Sequence, residues 1–145
     1  FIFATFTGLS YADQCNLSEE NIHKGKNGSL WIRINRQKTG VRCDIPLLDI
    51  PLEIIEKYKP ERKGDKLFNM VTLPRVAVNL NKVAKLCGIE KRISYHRSRH
   101  NFATLITPSK GVPLEMVSQI MDHKFFFTNP IYAKPNRQKS IEHMN

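Results

Sequence analysis

Ser94-Tyr95-His96-Arg97-Ser98-Arg99-His100-Asn101-Phe102-Ala103-Thr104 is the stretch on which the reading of this chain turns. As a helix it places His96 and Arg99 at i and i+3, facing one spot, while Phe102, Leu105 and Ile106 supply an apolar stripe. One helix therefore offers a cationic beginning and a core-forming end. A guanidinium forks onto two phosphate oxygens, and an imidazole hydrogen-bonds the same group and moves a proton. His123 follows at the end of the next helical pattern, and a phenol, Tyr132, stands nine positions beyond it. Together these residues suit phosphate chemistry with a tyrosine nucleophile. His96 and His100 also have metal-binding spacing, but Arg97 and Arg99 flank them with no carboxylate between, so a dication is repelled and no metal is expected.

Working outward, the helical pattern extends from residue 74 almost to the end. Val76, Leu80, Val83, Ala84 and Cys87 recur at helix spacing with Gly88 as a stop. Pro108, Gly111 and Pro113 punctuate the chain, and Pro113 opens a helix with Leu114, Val117 and Ile120. Pro130 weakens any helix around Thr128 to Tyr132, and 134–145 is a polar tail. In the other direction lies a β region. Leu30, Ile32 and Ile34 alternate with Trp31, Arg33 and Asn35, Lys38-Thr39-Gly40 forms the turn, and Val41 to Leu47 returns. Asn21-Ile22-His23 reads as a third strand. Asp49 then caps a helix through about Tyr58 whose apolar face is Leu52, Ile54 and Ile55. The segment from Lys59 to Asp65 is a polar surface connection. The fold class predicted is α+β, mainly α, with a small three-stranded antiparallel sheet at one side.

Composition narrows the partners. The 145 residues, 41% hydrophobic, suffice for one domain with one core. Lys and Arg number 23 against 13 Asp and Glu, a net charge of +10, which favours a polyanion. No apolar run is long enough to cross a bilayer as a helix. Cys15, Cys43 and Cys87 are odd in number and contain no CxxC pair, so neither a disulfide framework nor a zinc ribbon is indicated. A reducing cytoplasm is expected. The chain begins without Met in the apolar run from Phe1 to Leu9, with a break at Gly8 and a second short helix around Tyr11 to Leu17. The expectation is that 1–145 is one domain of a longer protein whose N-terminal DNA-binding part is absent here. Internal repeats and low-complexity tracts are absent.

Singly these features are weak, since short motifs match by chance and Phe125, Phe126 and Phe127 read equally as core or as a patch buried against a neighbour. Their order is specific. Thr7-Gly8-Leu9 followed by Asp13, Arg36-Gln37-Lys38-Thr39-Gly40, His-x-x-Arg-His ahead of Phe102-Ala103-Thr104, Gly111-Val112-Pro113, then His123 and Tyr132, resembles the catalytic domain of the tyrosine recombinases, or phage-integrase family. The likeness covers nearly the whole chain and is nearest to bacterial mobile-element integrases.

That resemblance implies cleavage and rejoining of double-stranded DNA, without metal or other cofactor, by protomers that assemble as a tetrameric synapse in a bacterial cytoplasm. It implies Tyr132 as the nucleophile that holds a 3′-phosphotyrosine, Arg99 on the non-bridging oxygens, and His96 beside it. Lys38 would be the general acid for the departing 5′ hydroxyl, His123 a second phosphate ligand and Asp13 a support. Such a site stabilises the charge that gathers on phosphate oxygens under attack, and the covalent link conserves the bond for rejoining. Two departures stand out. Ser10 occupies the place of the family's first arginine, for which Arg36 is the candidate substitute by strand parity with Lys38, and Met121-Asp122-His123 replaces Leu-Gly-His. These changes leave open a recombinase-fold protein that binds DNA without cutting it. A general helical nucleic-acid binder is the third reading, although stacking platforms and a glycine-rich loop are missing.

Overall fold

The computed structural model describes residues 1–121. Asp122, His123, the phenylalanine run, Tyr132 and the polar tail lie outside the described residues. Two short helices come first, α1 (Ile2–Thr7) and α2 (Tyr11–Asn16), followed by strands β1 (Ile22–Lys24), β2 (Leu30–Asn35) and β3 (Arg42–Pro46). Then come α3 (Asp49–Tyr58), α4 (Leu73–Leu86), α5 (His96–Asn101) and α6 (Leu114–Met121). This is the mainly helical α+β architecture expected from the sequence.

The strands form an antiparallel sheet in the order β1-β2-β3, with Ile32 opposite Ile22 and Ile45, and Ile34 opposite Cys43. Period-two alternation therefore sends Ile32, Ile34, Cys43 and Ile45 inward, where they meet Phe3, Leu9, Phe102 and Ile120 in the core. The predicted return strand is shorter than expected, ending at Pro46. The turn between α1 and α2 depends on Gly8, at φ +68°, where a Cβ would lie 2.7 Å from Phe102 Cδ1 and 2.8 Å from Ile120 Cγ2. Only glycine accommodates both that backbone and that closeness. The result is an α1–α2 corner pressed against the helices that carry the cationic motif.

Two helical expectations need correction. The helix begun by α5 does not stop before Pro108. It continues through a π-helical stretch, Phe102–Ile106, into a last turn, Thr107–Ser109. Proline lacks an N–H, so the Thr104 carbonyl loses its ordinary i+4 donor, and the Thr107 N–H bonds instead to the Phe102 carbonyl five residues back. Only α4 is badly matched to its predicted face. Ala84 is buried, but Val83 and Cys87 are exposed. The helix is fastened by one side, through Ala84 and through Asn81, which exchanges hydrogen bonds with the Ile93 backbone at 3.0 and 3.1 Å.

Candidate active site

The first turn of α2 carries the hub of the site. Ser10 is its N-cap, accepting a hydrogen bond from the Asp13 N–H at 3.1 Å and donating its hydroxyl to Asp13 Oδ2 at 2.8 Å. Asp13 is buried, and its carboxylate reaches across to the β2–β3 hairpin. Oδ1 accepts the Gln37 N–H at 3.0 Å, and Oδ2 faces Arg36 Nη1 at 3.4 Å. The serine in the place of the expected arginine thus orients the carboxylate that holds the hairpin.

Arg36 is 5% exposed. Strand parity explains this, because Ile32, Ile34 and Arg36 all fall on the inward side. One nitrogen meets Asp13, while Nε and Nη2 are buried with no hydrogen-bond partner among the described residues. Cys43 lies close by. Burial pushes its thiol pKa up, and the nearby guanidinium pulls partly the other way. Lys38 does not share the inward side. The strand ends at Asn35, Gln37 to Thr39 form the turn, and Lys38 stands exposed at its tip. The hairpin closes through Arg36 N–H to the Val41 carbonyl at 2.9 Å and Gly40 N–H to the Arg36 carbonyl at 2.7 Å.

The second half of the site is α5. His96 stands near its start, and Arg99 one turn on donates through Nη2 to the Met121 carbonyl at 3.3 Å. Burial, then the charges of Arg99 and His100, lower the His96 pKa from its ordinary value, so the imidazole is neutral at pH 7. The two halves are joined by neighbouring residues of α2. Asp13 holds the hairpin, and Gln14 accepts a hydrogen bond from the buried Tyr95 hydroxyl immediately before His96. The Tyr95 ring also packs edge-on against Tyr11, with centroids 5.6 Å apart. The end of α6 touches both halves, Gln119 near the Cys43 thiol and Met121 at Arg99.

Asp13 and Arg36 thus meet at the hairpin, His96 and Arg99 stand on α5, and α2 ties the two groups together through Gln14 and Tyr95, with Lys38 on the turn that Asp13 anchors. Gln14 and Tyr95 have no periodic signal in the sequence that marks them, and what singles them out is that both are buried and joined to each other. Among the described residues no group of three or more His, Cys, Asp or Glu gathers as a metal site, and no helix is long and apolar enough to cross a membrane.

Residues 1–139 match the phage integrase family. The chain belongs to that family. A tyrosine recombinase of Pseudothermotoga lettingae is 28% identical over 149 aligned residues, covering 97% of this chain and 50% of the relative. The fold of this phage-integrase chain recurs in XerH site-specific recombinase bound to difH substrate, at TM-score 0.69 and 22% identity, over 99% of this chain and 44% of that one. XerA recombinase matches at TM-score 0.69 and 20% identity, over 99% and 56%. The Tn1549 transposon integrase in complex with circular intermediate DNA matches at 0.67 and 16%, over 99% and 58%. The chain spans about half the length of these relatives.

Proposed function

We propose that this chain is the catalytic part of a site-specific recombinase that cuts and rejoins double-stranded DNA through a 3′-phosphotyrosine, acting with other protomers in a tetrameric synapse in a bacterial cytoplasm. Tyr132 is the nucleophile, Arg99, His96 and His123 hold the scissile phosphate, Lys38 protonates the departing 5′ oxygen, and Asp13 supports the arrangement. Arg36 supplies the cation that Ser10 does not. The observation carrying this reading is the Arg36 guanidinium, buried beside Asp13 with two nitrogens that have no hydrogen-bond partner among the described residues. Burying donors unpaired costs about 1–3 kcal/mol, more when they are charged. A phosphate oxygen arriving at that corner would satisfy them, which makes the unpaired state part of the binding energy for an anion. The net charge of +10 works in the same direction.

The test is a covalent one. Full-length protein on nicked duplex DNA should form a denaturant-resistant adduct, and sequencing the attached strand identifies the site. Tyr132→Phe, which removes one oxygen, should abolish the adduct and leave DNA binding intact. An adduct formed equally well by the Phe variant would assign the nucleophile elsewhere. A wild-type protein that binds DNA and forms no adduct would be a recombinase-fold binder that does not cut.

A further inference from the structure

The Lys38 side chain makes no hydrogen bond or ion pair among the described residues, so the placement of its amine is inherited from its backbone. The residue before it is gripped twice. The Gln37 N–H donates to Asp13 Oδ1 at 3.0 Å, and the Gln37 carboxamide oxygen accepts from Asn16 Nδ2 at 3.1 Å. Asp13 and Asn16 stand at i and i+3 on α2 and so present to the same side. Asn16 is itself held, its Nδ2 also donating to the Ala12 carbonyl at 3.1 Å and its own carbonyl accepting from Lys66 Nζ at 3.3 Å. Asp13, Asn16 and Gln37, with Asn21, Ile34 and Asn35, line an amide-rich cleft of about 210 Å³ beside the turn of the hairpin.

We propose that Asn16 is a positioning residue that aims Lys38 through the Gln37 side chain. The proposal rests on the reading of Lys38 as the general acid. Asp13 fixes where the Gln37 backbone lies. The hairpin bonds at Arg36 and Gly40 and the Asp13 contact restrain the turn through its backbone, and the attachment at the Gln37 side chain adds a restraint next to Lys38 that the backbone bonds do not supply. Two neutral, exposed amides contribute little to stability, since water competes for both of them, so the pair can be broken without unfolding the chain. A general acid is far more sensitive, because displacement of a reacting group by about 1 Å can cost roughly 100-fold in rate.

Cleavage is to be timed in the full-length protein on a nicked duplex carrying the strand sequence recovered in the adduct. Two versions are needed, one with the ordinary 5′ oxygen and one with bridging sulfur, which departs as a thiolate without a proton. Asn16→Ala and Gln37→Ala should each slow the oxygen substrate roughly tenfold and restore near wild-type rates on sulfur, as Lys38→Ala does. The double variant should be no slower than either single one, because both break one link. If Lys38→Ala is rescued by sulfur and the two amide variants are not, or if they leave the oxygen rate unchanged, the positioning role is overturned and the acid stands. If Lys38→Ala is equally slow on both substrates, the acid assignment falls and the positioning role falls with it.

Discussion

Two ion pairs three residues apart on the β2–β3 hairpin make opposite use of the same chemistry. Arg33 meets Asp44 at 3.0 Å on the outer face, with 45% and 41% of the two side chains exposed. Arg36 meets Asp13 at 3.4 Å with 5% and 4% exposed. The better geometry belongs to the pair that matters less. Water screens the outer charges, and Arg42 shares Asp44 at 3.5 Å, so breaking that pair is worth only about 0–1 kcal/mol. The inner pair has left water, its hydrogen bonding among the described residues is incomplete, and removing one partner strands a buried charge. An ion pair kept under those terms is poor cement, and under the proposed function its use is to receive an anion.

Asp13→Ala is the hardest blow to this contrast, expected to destabilise the chain by about 3–5 kcal/mol because Arg36 is left uncompensated. Urea unfolding checks it, and a loss under about 1 kcal/mol would mean that the guanidinium finds water. Replacing both partners, Asp13→Leu with Arg36→Met, should bring stability back to within about 2 kcal/mol of the parent. The full-length double variant should still form no covalent DNA adduct, and an adduct at the parental level would take Arg36 out of phosphate binding.

The cations around His96 extend the comparison from strand to helix. Arg99→Gln should raise the His96 titration midpoint, read by NMR, without bringing it to about 6.5, since burial is the larger cause and Arg99 the second. Because the folded value lies below the unfolded one, the unfolded chain binds the extra proton first. Stability is therefore full above pH ~6.5 and declines as pH falls from there through the folded midpoint. Arg99→Gln should flatten that decline, and an unchanged midpoint would separate the two residues. The smallest effect belongs to Asp44→Ala, within about 0.5 kcal/mol of the parent by the same urea titration. A larger loss would show the outer pair to be structural after all.

What could be read in the sequence was local. His96 and Arg99 lie within one turn, the strand alternation is short-range, and the same alternation carried Arg36 inward. It failed at Lys38 because the pairing extends only as far as Arg36, through its N–H to the Val41 carbonyl, and parity means nothing in the turn beyond. The links that assemble the corner join residues far apart in sequence, Tyr95 to Gln14 and Asn16 to Gln37, through polar side chains with no periodic signature. The face of α4 was misjudged for a related reason. Apolar spacing says that a helix has a buried side, and here the fastening is an asparagine, Asn81, so Val83 is left outside. Pro108 was read as punctuation, and it marks the helix with the longer bond from Thr107 to Phe102 instead of ending it.

The cap at Ser10 ties this corner to serine. An arginine there has no oxygen to accept the Asp13 N–H, so installing one would cost α2 about 0.5–2 kcal/mol. It would also place a second guanidinium beside a carboxylate that already serves Arg36. The two positions compete for one acid.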